Sequence, residues 1–174
     1  MKYLKITSPD IENGRGCRVT LWLPGCGRNC PGCHTPWTHD YNQGEEFTGE
    51  TFKYLCSILD KEYIAGLTIS GGDPLMQSNE ILNELAIILE RIRKRYPEKN
   101  IWIYTGYTLD EILELPMQTK VLKLCDYAVV GPFIQSLRDT TLPFRGSSNQ
   151  EIINIWCGRL HTCHYCKNCC SNAC

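Results

Sequence analysis

The sequence carries no excess of charge of either sign: 18 lysines and arginines stand against 19 aspartates and glutamates in 174 residues, a formal net charge of −1. A surface so balanced offers no field with which to hold a nucleic acid or an anionic membrane. Long hydrophobic runs are missing as well. No segment approaches the roughly 20 apolar residues that span a bilayer, and Met1-Lys2-Tyr3-Leu4-Lys5-Ile6 lacks the apolar core of an export signal. The expectation is a cytoplasmic protein with no membrane and no nucleic-acid partner. Internal repeats, low-complexity runs and a linker ahead of the C-terminal tail are also lacking, which leaves one globular domain able to bury a core.

What the chain does have is cysteine, 12 in all. In a small secreted protein these would be read as disulfides; without an export signal, metal ligation and redox chemistry are the sensible uses. Cys56 and Cys125 sit in apolar surroundings and read as small buried hydrophobes. Cys17 is left undecided. The remaining nine form two groups, Cys26, Cys30 and Cys33 near the N-terminus and six more after residue 156.

The first group lies in Gly25-Cys26-Gly27-Arg28-Asn29-Cys30-Pro31-Gly32-Cys33-His34, three thiols within eight residues in a Cys-x3-Cys-x2-Cys spacing. A [4Fe–4S] cluster takes one thiolate per iron, four in the usual case. Three local thiolates leave one iron open, and an open position is where a metal centre does chemistry. The competing reading is a structural zinc knuckle completed by His34, Cys17 or a distant thiol. Zinc sites usually come as Cys-x2-Cys pairs, so the spacing favours the cluster.

Arg18-Val19-Thr20-Leu21-Trp22-Leu23 is β-branched and aromatic and predicts a strand that delivers the chain into the cysteine loop. Tyr3 to Thr7 reads as an edge strand, and Phe52, Leu55, Cys56 and Leu59 mark one face of a helix from Thr48 to about Lys61. Gly66 to Ser70 is a strand running into Gly71-Gly72-Asp73-Pro74. Ser78 caps a helix with the stripe Ile81, Leu85, Ile88 and Ile92. Ile101 to Tyr104 is a third strand, followed by a helix from Leu109 to Leu115 that Pro116 stops and a further helical segment toward Asp126. Tyr127 to Val130 and Glu151 to Trp156 complete the strands, with a turn-rich stretch from Leu142 to Gln150 between them. Alternating strands and helices imply an α/β fold with a mostly parallel sheet. The units are too few for a closed eight-fold barrel of ~250 residues, so a partial, open βα barrel is expected over residues 1–156, with a cysteine-rich tail at 157–174.

The cysteine triplet after a first strand, followed by Ser70-Gly71-Gly72-Asp73-Pro74-Leu75 after the second, resembles the radical S-adenosylmethionine superfamily. Ile101-Trp102-Ile103-Tyr104-Thr105-Gly106-Tyr107, Gly131-Pro132-Phe133-Ile134 and Phe144-Arg145-Gly146-Ser147-Ser148-Asn149-Gln150 narrow the resemblance to the activases of anaerobic ribonucleoside-triphosphate reductase. That resemblance implies a [4Fe–4S] cluster on Cys26, Cys30 and Cys33, whose fourth iron chelates the amino and carboxylate groups of S-adenosylmethionine. Main chain at Gly32, Cys33 and His34 would lie against the nucleoside, and the loop of Gly71, Gly72 and Asp73 would bind the methionyl end. An aromatic, often Tyr, usually follows the third cysteine in the family; His34 departs from this, though its ring can still stack. Thr105, Asp126, Arg145 and Asn149 receive no assigned role.

The implied reaction needs an external one-electron donor such as a flavodoxin or ferredoxin. One electron passed to the sulfonium breaks its bond to C5′, giving methionine and a 5′-deoxyadenosyl radical, which takes a hydrogen atom from a glycine of the reductase and leaves a glycyl radical there. No general acid or base is required, in keeping with the lack of a His–carboxylate pair in the motifs. Two other functions compete: a small-molecule radical enzyme, and a non-catalytic zinc-binding interaction protein.

The tail lies beyond the resemblance. Cys157, Cys163, Cys166, Cys169, Cys170 and Cys174 crowd its 18 residues, and Cys163-x2-Cys166-x2-Cys169 begins like a bacterial ferredoxin motif but lacks the fourth cysteine in place and the proline after it. A second metal centre, zinc or iron–sulfur, is one reading; a tail of free thiols is the other.

Overall fold

The computed structural model describes residues 1–155 and the backbone of the two residues at 161–162. Two short strands, β1 (Lys2–Tyr3) and β2 (Lys5–Asp10), open the chain and lead to β3 (Arg18–Leu23). β4 (Glu45–Glu46) pairs with β1 in a two-stranded ribbon. α1 (Gly49–Leu59) begins at Thr48, whose hydroxyl and that of Thr51 satisfy each other's backbone amides in a capping box. β5 (Gly66–Gly71) is followed by α2 (Asn79–Arg95), where the Ser78 hydroxyl accepts from Ile81 N. Then come β6 (Asn100–Tyr104), α3 (Leu109–Leu113), α4 (Pro116–Leu122), β7 (Tyr127–Val130), β8 (Glu151–Asn154) and β9 (His161–Thr162).

The main sheet has the order β2-β3-β5-β6-β7-β8-β9. β3, β5, β6 and β7 are parallel neighbours, with β2 antiparallel on one side and β8 and β9 antiparallel on the other. The fold is mixed α/β around this parallel centre. In register, Leu23 stands beside Gly71, so β3 and β5 end together and their following loops leave the sheet at one rim.

Successive side chains on a strand point to opposite faces. Val19, Leu21 and Leu23, Leu67 and Ile69, Ile101 and Ile103, and Ala128 and Val130 join the helices in one buried apolar cluster. Each of the Val, Leu and Ile side chains is worth roughly 1.5–3 kcal/mol over its exposed state, so this layer holds the sheet and helices together. The alternate positions, Arg18, Thr20, Thr68, Trp102 and Tyr104, make the opposite face polar and aromatic. There Arg18 is fully buried, and isolated it would be costly. All five of its N–H donors are used, on Thr68 Oγ1, Arg15 O, Leu67 O and both oxygens of Asn100. Burial still lowers its pKa to about 10.

Several boundaries differ from expectation for local physical reasons. The buried side of α2 comprises Leu82, Leu85, Ala86, Ile88, Leu89 and Ile92, wider than the expected stripe because α2 also packs on α4, while Ile81 is only half-buried. Pro116 occupies the first turn of α4, where its missing N–H costs nothing, so it starts a helix as well as following one. The last expected strand ends at Asn154, and Trp156 lies outside the described residues, as do the 156/157 boundary and Cys157, Cys163, Cys166, Cys169, Cys170 and Cys174. Among the described residues no helix is long and apolar enough to cross a membrane.

Candidate functional site

The cysteine loop is pinned along both limbs. Gly25 N donates to Thr38 O (2.7 Å) and Cys26 N to His39 O (3.1 Å), so the start of the loop pairs with its return. Between them Cys33 N donates to Cys30 O (3.0 Å), closing a four-residue turn. Pro31 presets its first central position and Gly32, at φ +71°, supplies the left-handed second one. This combination is that of a type II turn, and it sets Cys30 and Cys33 at the two ends of one tight bend. The return limb passes through a 3-10 turn, Pro36–Thr38, where Trp37 lies 6.1 Å from the Trp22 ring with Lys5 Nζ 4.6 Å from its own centroid.

The loop after β5 lies directly against the cysteine loop. Gly72 N donates to Leu23 O (2.9 Å) and Asp73 N to Gly25 O (2.7 Å), extending the β3–β5 ladder past the sheet. A Cβ at Gly71 would sit 2.2 Å from Leu23 O, and one at Gly72 would sit 2.2 Å from Gly25 O. What needs these two glycines is therefore the backbone of the cysteine loop itself. Gln77 fastens the pair: its Nε2 donates to Pro24 O (2.9 Å), Gly25 O (3.4 Å) and Asp73 O (3.0 Å).

Asp73 is 2% exposed and turned inward. Oδ1 accepts from Leu75 N (3.0 Å) and Thr105 Oγ1 (2.8 Å), and Oδ2 accepts from Gly106 N (2.8 Å). Burial pushes the carboxyl above its ordinary range against the pull of these three donors. A third loop, after β6, is thereby tied to the second. Arg28 links it to the first: its guanidinium lies 5.0 Å from the Tyr107 ring centroid and donates to Glu111 Oε2 (3.1 Å), while its buried Nε has no partner among the described residues. A fourth loop, after β7, brings Gln135 against Gly32, where a Cβ would lie 2.9 Å from the Gln135 side-chain carbonyl carbon. Gln150 and Asn149 brace that loop by donating to Gly131 O (3.0 Å) and Pro132 O (2.8 Å), and Arg145 donates to Gln150 O (2.9 Å).

Cys26, Cys30 and Cys33 are free thiols, each partly accessible. Burial pushes the Cys26 thiol up, with the amides of Arg28 and Asn29 pulling against it; a bound cation reverses such a shift, because a coordinating thiol loses its proton outright. Among the described residues no three His, Cys, Asp or Glu side chains crowd closely enough to hold a single ion. A cubane makes no such demand, since each thiolate takes its own iron. His39, absent from the sequence motifs, places Nε2 3.4 Å from Cys33 Sγ. His34 is exposed on the loop.

Of the sequence-nominated positions, the structure thus brings Cys26, Cys30, Gly32, Cys33, His34, Gly71, Gly72 and Asp73 to one rim. Thr105, Arg145 and Asn149 belong to the loops bracing it, whereas Asp126 accepts from Ile101 N and Arg93 and secures β6. Gln77, Arg28, His39 and Gln135 escaped the sequence reading. Gln77, Arg28 and Gln135 meet partners far away along the chain, whereas His39 reaches a sulfur only six positions back through the folded return of the loop; a lone polar residue in a loop carries no periodic signal.

The 4Fe-4S single cluster domain family matches residues 12–153. A protein of Enterobacteria phage T4 is 40% identical over 152 residues, 87% of this chain and 93% of its own length. One from Escherichia coli K12 is 40% identical over 157 residues, 89% of this chain and 99% of its own. A Haemophilus influenzae relative is 36% identical over 154 residues, 87% and 97% respectively. All three are named anaerobic ribonucleoside-triphosphate reductase-activating proteins.

Proposed function

Since the chain belongs to the family of anaerobic ribonucleoside-triphosphate reductase-activating proteins, we propose that Cys26, Cys30 and Cys33 hold its [4Fe–4S] cluster and that the surrounding rim binds S-adenosylmethionine. The protein is an activating enzyme that acts on a glycyl radical enzyme, the anaerobic reductase. When bound, the cluster supplies the single electron that splits S-adenosylmethionine, so that hydrogen can be taken from a glycine of the reductase.

The observation that carries the reading is the fusion of the first two loops, Gly72 N to Leu23 O and Asp73 N to Gly25 O. It puts the cysteine triplet and the Gly71–Gly72 backbone on adjoining positions of one rim. The donor set suits the cluster: three accessible thiols on a braced Gly- and Pro-containing loop. For the cosubstrate, main chain of Gly32, Cys33 and His34 would take the nucleoside, and that of Gly71 and Gly72 the methionyl end. Asp73 would serve by holding the loop in shape, its oxygens being engaged by Leu75, Thr105 and Gly106. Arg28 Nε is a buried donor without a partner among the described residues, and an anionic ligand group is its natural complement. Electrons would come from an external one-electron donor, a flavodoxin or ferredoxin. An open, partial βα barrel accommodates this arrangement, because a protein substrate must reach the rim.

The test is anaerobic. The protein is reconstituted with iron and sulfide, reduced and given S-adenosylmethionine, and 5′-deoxyadenosine and the glycyl radical signal are measured with and without the reductase. Cleavage is expected from the wild type and not from Cys30→Ala; no cleavage by the iron-loaded, reduced wild type would reject the radical reading.

A further inference from the structure

We propose that His39 is a positioning residue that donates an Nε2–H hydrogen bond to the Cys33 sulfur and thereby raises the reduction potential of the cluster. The inference rests on the reading of Cys26, Cys30 and Cys33 as cluster ligands. Nε2 lies 3.4 Å from Cys33 Sγ. A metal-bound thiolate has no proton to give, so a hydrogen bond between these atoms must run from the ring to the sulfur, with Nε2 carrying the hydrogen.

The imidazole is held in place by its backbone. His39 N donates to Pro36 O (3.2 Å), and its carbonyl accepts from Cys26 N (3.1 Å). The preceding Thr38 is fully buried and its hydroxyl donates to Thr35 O (2.7 Å). One closed loop thus fixes the histidine, the sulfur it addresses and a second ligand. The other polar group near that sulfur, Thr35 Oγ1, is 4.0 Å away and donates to Gly71 O at 3.3 Å. His39 is the stronger donor of the two. Hydrogen bonds to cluster sulfurs withdraw electron density and favour the reduced, more negative state. A higher potential lets a weaker one-electron donor load the cluster.

The full-length wild type, His39→Leu and His39→Gln are reconstituted anaerobically. Iron and sulfide per chain are measured, and the cluster is titrated by EPR against a set potential before any S-adenosylmethionine is added. His39→Leu is expected to keep its iron while the oxidised-to-reduced ratio at a given potential rises roughly tenfold, a shift of about 59 mV to the negative for one electron. His39→Gln, which keeps an N–H, falls between the two. An unchanged potential in iron-loaded His39→Leu overturns the proposal, and so does loss of iron from that variant, which would make the residue a prop or a ligand. If the wild type takes up no cubane, or Cys30→Ala retains it, the cluster reading itself fails and takes this inference with it.

Discussion

Asp73 and Thr105 are joined by a 2.8 Å hydrogen bond, from Thr105 Oγ1 to Asp73 Oδ1, across 32 positions of the chain. It ties the loop after β5 to the loop after β6. The loop after β5 is already bonded to the cysteine loop through Gly72 and Asp73. Three consecutive βα loops therefore behave as one body, with a buried carboxylate at its centre.

Asp73→Ala leaves the Gly106 and Leu75 amides and the Thr105 hydroxyl without their acceptor. At about 1–3 kcal/mol for a buried group left unpaired, the variant should lose roughly 3 kcal/mol in urea unfolding. Thr105→Val removes one of the three donors to Asp73 and also the acceptor of Tyr107 N (3.1 Å), and should lose about 1–2 kcal/mol, less than Asp73→Ala. Equal losses in the two variants would contradict the brace.

Gly72→Ala places a methyl group 2.2 Å from Gly25 O, where the obstacle is backbone rather than a movable side chain. The two loops must part, at a cost of about 1–3 kcal/mol. Iron retained per chain after desalting and S-adenosylmethionine binding by equilibrium dialysis should both fall in this variant. Unchanged values for both would show that the loops can separate without consequence for the rim.

Asp10 predicts an acid-sensitive edge. Burial raises its pKa, but side-chain bonds from Thr20 and Asn13 and the amides of Glu12 and Asn13 outweigh it, leaving the carboxyl below the ordinary aspartate range. The unfolded chain then binds the proton more tightly than the folded one. The stabilisation is present above about pH 4 and lost as pH falls through the folded pKa. Asp10→Asn should be less stable than wild type by about 1 kcal/mol at pH 6, with the gap closing toward pH 3. A gap that stayed constant in urea titrations across this range would refute the assignment.

Deletion of residues 157–174 removes six cysteines. If these thiols form a second metal centre, zinc or iron per chain should fall by the content of that centre while Cys26, Cys30 and Cys33 keep theirs. Elemental analysis of the anaerobically prepared protein decides it, and identical metal content in the two forms would show that the tail holds none.

What the sequence determined by itself was local. Arg18–Leu23, the strand from Gly66 to Ser70 and the helix after Ser78 were legible because β-branched runs, apolar periodicity and caps act within a few residues. The Cys-x3-Cys-x2-Cys triplet and the Pro31-Gly32 bend carried their chemistry in their spacing for the same reason. Tertiary structure decided the rest. The antiparallel edges β2, β8 and β9 are set by pairing partners that short strands do not encode locally. The reach of Gln77 to Pro24 across 53 positions and of Asp73 to Thr105 across 32 exists only once strand register is set. That register also decided the use of Gly71 and Gly72: legible as a place where something polar could come close, they first admit the backbone of the cysteine loop, because β3 and β5 end side by side.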